Sequence, residues 1–197
     1  MSDRETLSVY AKRAADYAAM SNDFNARDPS LEAFITSMPK GGRVLDLGCG
    51  PGASAAQMAN AGLVVDAFDP VPEMVEMAAQ NEGVTAMQAG FDDVESNAVY
   101  DGIWANFSLL HAPRADMPRH LAQVKTALKP GGRFHVAVKT GVGDERDSLG
   151  RFYTYYTEAE LTGLLEKAGF TVTERRAGRD KGLSGDVSPW VALAAYA

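Results

Sequence analysis

The sequence predicts an α/β fold with a doubly wound, mostly parallel sheet and helices on both of its faces. Two observations predict it. Short apolar runs typical of strands alternate along the chain with segments of helical periodicity, and most of these segments end at glycine or proline. Strands that alternate with helices form parallel sheets, because each connecting helix returns the chain to the same edge and covers one face.

Two helices precede the sheet, one over about residues 4–20 and a shorter one over 31–38, where apolar side chains recur every three or four residues. Turn residues then separate the elements of the sheet. Pro72 suits the first turn of a helix, and Thr157 with Glu160 has the spacing of a capping box. We expect strands at 43–47, 63–68, 84–88, 100–107, 133–138, 170–175 and 190–196, and helices at 53–61, 72–81, 114–128 and 157–169.

Composition and charge restrict the partners. The chain has 197 residues, which suits one domain, and 26 acidic against 19 basic residues give a formal net charge of −7. This charge opposes nucleic-acid binding, which depends on basic side chains at phosphates. No apolar run approaches the ~20 residues that span a bilayer, and the N-terminal segment mixes charges instead of forming an apolar signal core. With the single cysteine, Cys49, this predicts a soluble cytoplasmic protein, monomer or homodimer, without nucleic-acid or membrane partners.

The segment VLDLGCGPGA, residues 44–53, leads from the first strand into a helix. Its glycines, Gly48, Gly50 and Gly52, permit positive φ and let a ligand approach the backbone, and the start of the helix adds a positive potential. The spacing G-x-G-x-x-A also satisfies the dinucleotide pattern, and Asp69 lies near the offset of its ribose-binding acid. The glycine pattern by itself therefore indicates a nucleotide-like ligand without identifying it.

Asp46, two residues before the first glycine, favours one kind of ligand. A dinucleotide would bring a doubly negative pyrophosphate to the loop, where the carboxylate would repel it. S-adenosylmethionine would instead bring an ammonium group and a sulfonium, which a carboxylate attracts. In the alternative interpretation, Asp46 hydrogen-bonds to the loop backbone, as aspartates near turns often do.

Six segments extend this interpretation along the chain: VYAKRAADYA, VLDLGCGPG, VVDAFDPVPEMVEMA, GFDDV, YDGIWANFSLLHAPR and LKPGG. In this order they resemble the small, single-domain bacterial class I S-adenosylmethionine-dependent methyltransferases. The resemblance covers nearly the whole chain. It implies one methyltransferase domain over 1–197, in which a helical cap of residues 1–40 forms a lid on a Rossmann-like core of residues 41–197. The implied sheet has seven strands in the order 3-2-1-4-5-7-6, with strand 7 antiparallel.

The resemblance also implies which residues hold S-adenosylmethionine and its product, S-adenosylhomocysteine. Asp69 would bind the ribose hydroxyls, and Asp92, or the acid next to it, the adenine amino group, with Phe91 covering the ring. Asn106 would face the methionine portion. The implied cofactor set is Tyr17, Asp46, Gly48, Cys49, Gly50, Gly52, Asp69, Pro70, Met74, Phe91, Asp92, Asn106 and Phe107.

Methyl transfer from a sulfonium requires mainly that the acceptor be held in line with the methyl group. His111 should border the methyl and is the candidate general base, or else it hydrogen-bonds to backbone and shapes the pocket. The loop over 139–154 is expected to select a small-molecule acceptor, with Arg146 and Tyr153 as contacts, whereas the role of the loop over 177–189 stays open. Since no metal-ligand spacing is present, we expect a metal-free site.

Two other functions stay open at the level of the sequence. An NAD(P)-dependent oxidoreductase would use the same glycine pattern and Asp69, although the chain has no Tyr-x-x-x-Lys pair. A protein that binds S-adenosylmethionine without catalysis would need the same cofactor residues. For a methyltransferase, O, N, S and metalloid acceptors all remain open.

Overall fold

The computed structural model describes residues 3–25, 28–95 and 97–197. Its strands are β1 (Arg43–Leu47), β2 (Val64–Asp69), β3 (Val84–Gln88), β4 (Tyr100–Asn106), β5 (Leu128–Lys139), β6 (Asp144–Arg146), β7 (Phe152–Thr154), β8 (Thr171–Lys181) and β9 (Val187–Tyr196). Within these residues one seven-stranded sheet has the order β3-β2-β1-β4-β5-β9-β8, and β6 pairs with β7 as a separate hairpin. β9 is antiparallel to both of its neighbours, and the other pairs are parallel. The predicted strand order and its single antiparallel strand are confirmed.

Helices cover both faces of this sheet. They are α1 (Arg4–Lys12), α2 (Ala14–Asn25), α3 (Pro29–Thr36), α4 (Ala53–Asn60), α5 (Pro72–Ala78), α6 (Met117–Ala127) and α7 (Glu158–Lys167). Leu121 of α6 and Leu161 of α7 share a buried cluster with Leu45, whereas Phe34 of α3 shares the other large cluster with Val44. The neighbouring residues Val44 and Leu45 thus face opposite layers, because side chains alternate across a strand.

The leading helix is broken where the periodicity predicts one continuous helix. α1 ends at Lys12 and α2 begins at Ala14, because Arg13 leaves helical geometry with φ −117° and ψ 22°. The break places Tyr10 and Tyr17 on different helices, and their rings meet edge to face with centroids 5.3 Å apart. Apolar spacing continues across the break, so periodicity alone does not reveal it.

Contacts with the β6–β7 hairpin hold α1 in place. Thr6 is buried, and its hydroxyl donates to Asp3 Oδ2 at 2.8 Å while accepting the N–H of Phe152 at 2.8 Å. Arg146 of β6 adds two hydrogen bonds to the Asp3 carboxylate, at 2.9 and 2.8 Å. These contacts join the N-terminal part of α1 to the hairpin, which the sequence does not predict.

The last two strands are longer than predicted. β8 continues to Lys181 and β9 begins at Val187, and the added polar residues pair through the backbone, as in Arg179 opposite Pro189. β8 runs in the same direction as β5, so its carboxyl end lies at the same edge of the sheet as the glycine loop. No helix in the described part of the chain has both the length and the apolar character needed to cross a bilayer.

Candidate functional site

The glycine loop follows β1 in a conformation that side chains rarely adopt. Gly48, Gly50 and Gly52 have φ values of 81°, 53° and 86°. A Cβ atom at Gly48 would lie 2.3 Å from Ser108 Cβ, and one at Gly52 would lie 2.9 Å from Ala78 Cα. Because these positions lack side chains, the loop can pack closely against Ser108, just after β4, and against Ala78 of α5.

The protein itself uses the backbone N–H groups of this loop. Gly48 and Cys49 both donate to the carbonyl of Phe68, at 2.8 and 2.9 Å, and Gly50 donates to Asp69 Oδ2 at 2.9 Å. Gly52 donates to the carbonyl of Cys49 at 3.1 Å, and Pro51 has no N–H. Residues 48–52 therefore offer no unused N–H to a pyrophosphate, which argues against the dinucleotide alternative.

Asp46 combines deep burial with an unsatisfied oxygen. Asp46 is 2% exposed. Its carboxyl accepts a hydrogen bond from the N–H of Ala55 at the start of α4, but the oxygen Oδ2 has no hydrogen-bond partner. Burial, with a smaller contribution from the charge of Asp69, raises the pKa of Asp46 to about 7. The carboxyl thus occupies the positive end of α4 itself, and a cationic ligand group would satisfy Oδ2.

Asp69 ends β2 beside the glycine loop. Its oxygens accept the N–H of Gly50 and the N–H of Val71, each at 2.9 Å. Burial raises its pKa to about 6, although both backbone hydrogen bonds favour the ionised form. Since each carboxylate oxygen has two lone pairs, Asp69 can orient the loop and still accept hydrogen bonds from ligand hydroxyls.

Two adjoining cavities form one cleft above the carboxyl edge of the sheet. Their volumes are about 650 and 60 Å³, and Tyr17, Gly48 and Phe107 line both. Among the predicted cofactor residues, the larger cavity also contacts Asp46, Cys49 and Asn106, and the smaller one Gly50, Asp69, Pro70, Met74 and Phe91. Most of the predicted cofactor residues therefore line one cleft.

Two members of the predicted cofactor set lie outside these linings. Gly52 serves the close packing of the loop. Asp92 is on the outer side of the short 3₁₀ turn Phe91–Asp93, where its half-exposed carboxylate pairs with Arg119 of α6. The adjacent Asp93 accepts the N–H of Gly90 at 2.8 Å and closes that turn.

Cys49 contributes bulk and not reactivity to the loop. Its thiol is buried and donates to the carbonyl of Gly50 at 3.4 Å. Burial, together with the nearby carboxylates of Asp46 and Asp69, raises the pKa of this thiol far above its usual range. A nucleophilic cysteine needs a lowered pKa, so the environment opposes that role.

The end of β4 supplies the middle of the cleft. Asn106 Oδ1 accepts from His135 Nε2 at 3.2 Å, and the His135 ring stacks on Trp104 with centroids 3.6 Å apart. Burial lowers the pKa of His135 to about 3, so it is neutral. Phe107 has a φ of 54°, which is rare for a side-chain-bearing residue and typical of strained functional sites.

His111 belongs to a buried chain of hydrogen bonds. Its Nδ1 lies 2.6 Å from the carbonyl of Phe152, which only accepts, so Nδ1 carries the proton. Nε2 then accepts from the hydroxyl of Tyr10 at 2.9 Å, and that hydroxyl accepts from Arg151 Nη1 at 3.0 Å. Burial lowers the pKa of His111 to about 4, so the imidazole is neutral at pH 7. The nitrogen that would take a proton is already hydrogen-bonded to Tyr10.

The structure separates the two predicted acceptor contacts. Tyr153 lines the larger cavity, and the guanidinium carbon of Arg151 lies 5.3 Å from the centroid of its ring. This guanidinium pairs with Asp147 at 2.6 Å. Arg146 lies on the other side of the hairpin, where it pairs with Asp3 and Glu5. The contacts of Arg146 therefore stabilise α1.

The terminal hairpin, whose role the sequence leaves open, also contributes to the site. Arg176, Lys181 and Trp190 of β8 and β9 line the larger cavity, together with Lys139 at the end of β5. Strand direction is the sequence signal for this contribution. In the implied strand order, strand six is parallel to strand one, so both strands end at the same edge of the sheet. Among the described residues, no group of three histidine, cysteine or acidic side chains is arranged to hold a metal ion.

Comparison with known proteins agrees with this geometry. The family model of the methyltransferase domain matches residues 22–175, most of the chain. The chain belongs to this methyltransferase family. Its membership confirms the predicted methyltransferase family and the class I fold.

Relatives of this methyltransferase include an O-methyltransferase of Aspergillus nomiae, 32% identical over 167 residues, which are 75% of this chain and 73% of the relative. The ubiquinone biosynthesis O-methyltransferase of Methylobacterium nodulans is 27% identical over 152 residues, which are 66% of this chain and 60% of that protein. The methyltransferase thus spans about 60% of the length of the first curated relatives that it matches.

Among solved structures, the 1,6-didemethyltoxoflavin-N1-methyltransferase of Burkholderia thailandensis has a TM-score of 0.78 and 25% identity, over 98% of this chain and 87% of that chain. It was crystallised with 1,6-didemethyltoxoflavin and S-adenosylhomocysteine. A methyltransferase of Mesorhizobium loti, with a TM-score of 0.69, 17% identity and coverage of 86% of this chain and 96% of that chain, is similar in fold.

Proposed function

We propose that this methyltransferase transfers a methyl group from S-adenosylmethionine to a small-molecule acceptor by in-line displacement. The observation that carries the proposal is the buried carboxyl of Asp46, a residue that lines the cleft and whose Oδ2 has no hydrogen-bond partner. An ammonium group is the complement of this oxygen. The cleft of about 650 Å³, with its adjoining cavity of about 60 Å³, has room for a cofactor and a small acceptor.

The residues around the smaller cavity suit the adenosine portion of the cofactor. Asp69 can accept hydrogen bonds from the ribose hydroxyls, and Pro70, Met74 and Phe91 supply apolar surface for the adenine ring. Asp92 remains the proposed partner of the adenine amino group, in competition with Arg119. Tyr17, Asn106 and Phe107 are proposed to enclose the methionine portion, because they line the cleft between Asp69 and the acceptor side.

When bound, S-adenosylmethionine supplies a methyl group on a positively charged sulfur that is already a good leaving group. The protein's own contribution is to hold the acceptor in line and to exclude water, which can lower an entropic barrier by roughly 7–11 kcal/mol. Trp104, Phe107, Tyr153 and Trp190 form apolar walls for this purpose.

His111 is the proposed general base for acceptors that arrive protonated. Its lowered pKa, about 4, keeps Nε2 free of a proton at neutral pH, and the residue lines the cleft. To accept a proton from an acceptor, Nε2 must release the Tyr10 hydroxyl, which can remain bound to Arg151. An acceptor hydroxyl would then replace Tyr10 at the same nitrogen.

The remaining parts of the proposal concern context. The net charge of −7 supports the absence of a nucleic-acid partner, and the single cysteine supports a cytoplasmic location. We keep the division into a helical cap, 1–40, and a core, 41–197, because Tyr10 and Tyr17 of the cap reach the cleft.

Calorimetry tests the cofactor part of the proposal. Titration of the protein with S-adenosylhomocysteine is expected to give micromolar or tighter binding, whereas NAD should give none. Binding of NAD alone would support the oxidoreductase alternative instead. Binding of S-adenosylmethionine without turnover on any member of a metabolite pool would favour a protein that binds the cofactor without catalysis.

A further inference from the structure

Lys139 is a cation without an acidic partner at the acceptor side of the cleft. It is half-buried at the end of β5, and its Nζ lies 4.2 Å from the centroid of the Tyr153 ring. In the described part of the chain, no carboxylate lies within ion-pair distance of this ammonium group, whereas the nearby Arg151 is paired with Asp147 at 2.6 Å. A half-buried ammonium group without a counterion is a site for an anion.

Two more cations face the same space from the terminal hairpin. Arg176 and Lys181 line the larger cavity, and within the described residues neither forms an ion pair. The acid between them, Asp180, also lines this cavity and accepts from Trp190 Nε1 at 2.6 Å. Lys139, Arg176 and Lys181 therefore face one carboxylate, and this side of the cleft has an excess of positive charge.

Apart from Asp180, the acids that line the larger cavity lie at other places along the cleft. Asp46 is at the glycine loop, and Asp28 lies at the rim, where it caps α3 by accepting the N–H of Ser30 at 2.8 Å. The cleft thus changes sign along its length, from acids at the cofactor loop to bases at β5 and the terminal hairpin. A cationic cofactor and an anionic acceptor would each meet the opposite charge.

The walls between these charges are aromatic. Trp104, Phe107, Tyr153 and Trp190 line the larger cavity, and Phe107 meets Trp190 edge to face with centroids 6.1 Å apart. Aromatic walls of this kind favour a flat acceptor.

We infer that the acceptor is an aromatic acid, whose negative charge binds Lys139 with support from Arg176 and Lys181. This inference rests on the proposed function, because it concerns the acceptor of that reaction. The anionic group positions the ring between the tryptophans and holds the atom to be methylated in the cleft. The competing use of Lys139 is to bind the carboxylate of the cofactor's methionine portion.

Calorimetry on the protein saturated with S-adenosylhomocysteine separates these possibilities. The probes are two matched pairs, 3,4-dihydroxybenzoate with 3,4-dihydroxybenzamide and 1-hydroxy-2-naphthoate with 1-hydroxy-2-naphthamide. The two members of each pair have nearly the same shape, but only the acid carries the negative charge of a carboxylate. We expect at least one acid to bind roughly tenfold more tightly than its amide.

Variants assign this preference to Lys139. Lys139→Gln should remove it, and Lys139→Arg should retain most of it. Lys125→Gln is the matched control, because Lys125 also lies over an aromatic ring, that of Phe170 at 5.7 Å, but on α6 away from the cleft. The control variant should keep the acid preference of the unmodified protein.

Three results would overturn the inference: equal affinity of acid and amide, no binding of either pair at millimolar concentration, or an acid preference that survives in Lys139→Gln. A loss of S-adenosylhomocysteine affinity in Lys139→Gln, without loss of the acid preference, would assign Lys139 to the cofactor instead. If the unmodified protein does not bind S-adenosylhomocysteine at all, the proposed function fails first. Binding of S-adenosylhomocysteine is therefore measured before any acceptor probe is added.

Discussion

At the scale of single residues, the carboxyl of Asp46 connects burial with ligand charge. Its Oδ2 lacks a partner in the ligand-free structure, and its neighbour Asp69 is a second buried acid. Replacing Asp46 by Asn removes the charge and keeps the shape. We expect affinity for S-adenosylhomocysteine to fall roughly tenfold to a hundredfold, measured by calorimetry, because a charged hydrogen bond is lost.

The matched control for this substitution is Asp66→Asn. Asp66 is similarly buried, at 5% exposure against 2% for Asp46, but it pairs with Arg43 at 2.7 Å away from the cleft. This variant should bind S-adenosylhomocysteine as the unmodified protein does. Equal affinity in all three proteins would mean that Asp46 orients the loop without contacting the cofactor.

The same carboxyl predicts a dependence of stability on pH. Its folded pKa of about 7 exceeds its ordinary value of 3.8, so between these values the folded protein holds a proton that the unfolded chain has lost. The ligand-free protein therefore loses stability as the pH rises from about 4 to about 7. At about pH 8, Asp46→Asn should be more stable than the unmodified protein by roughly 1–3 kcal/mol.

Thermal denaturation at several pH values measures this difference. His111 and His135 act in the opposite direction, because their pKa values are lowered to about 4 and about 3, and stability is lost as they protonate in acid. Both proteins contain these histidines, so the difference between the two curves reports Asp46 together with its charge interaction with Asp69. A constant difference from about pH 5 to about pH 8 would contradict the raised pKa.

At the scale of elements, the glycine loop and its surroundings form one packed unit. Gly52→Ala places a Cβ 2.9 Å from Ala78 Cα, whereas Gly62→Ala meets nothing within 4 Å at nearly the same φ, 85° against 86°. Both variants bear the cost of a left-handed residue, about 1–2 kcal/mol. Gly52→Ala should cost about 1–3 kcal/mol more and weaken S-adenosylhomocysteine binding.

Urea unfolding of the two glycine variants provides the comparison. Because φ is nearly the same at the two positions, the excess loss of stability in Gly52→Ala reports the contact with α5. Equal losses of stability in both variants, with unchanged cofactor binding, would show that the loop is loosely packed.

A second element-scale prediction concerns the attachment of α1. Thr6→Val keeps the branched shape but leaves the N–H of Phe152 without its acceptor, and we expect a loss of about 1–3 kcal/mol. Thr6→Ser retains the hydroxyl and should lose less. Hydrogen exchange at the Phe152 amide should quicken in the valine variant only, and equal exchange in both variants would contradict the assigned contact.

Element boundaries also show what sequence reasoning can reach. The alternation of strands and helices follows from periodicity and turn residues, because each strand and its covering helix are local in sequence, whereas the strand order was implied by the family resemblance. The break at Arg13 and the hairpin formed by Asp144–Arg146 and Phe152–Thr154 depend on contacts across the chain. Thr6 and Phe152 are 146 residues apart, and no local pattern records such a contact.

At the scale of the whole molecule, the same distinction separates the two halves of the cleft. The proposed cofactor half is formed by residues just after β1, β2 and β4, so a linear motif predicts most of it. The proposed acceptor half joins Tyr10, His111 and Arg151, whose contacts span 101 and 141 residues. Arg146 was predicted from its loop, and its pairing with Asp3 in the folded chain was not recognisable from the sequence.

The central claim of methyl transfer to a small molecule has one direct test. The protein is incubated with S-adenosylmethionine carrying a deuterated methyl group and with a metabolite extract, and small molecules and macromolecules are then analysed separately by mass spectrometry. We expect a small molecule that gains the trideuteromethyl mass in the presence of the protein and not in its absence. Label found only on protein or RNA, or on nothing, would contradict the claim.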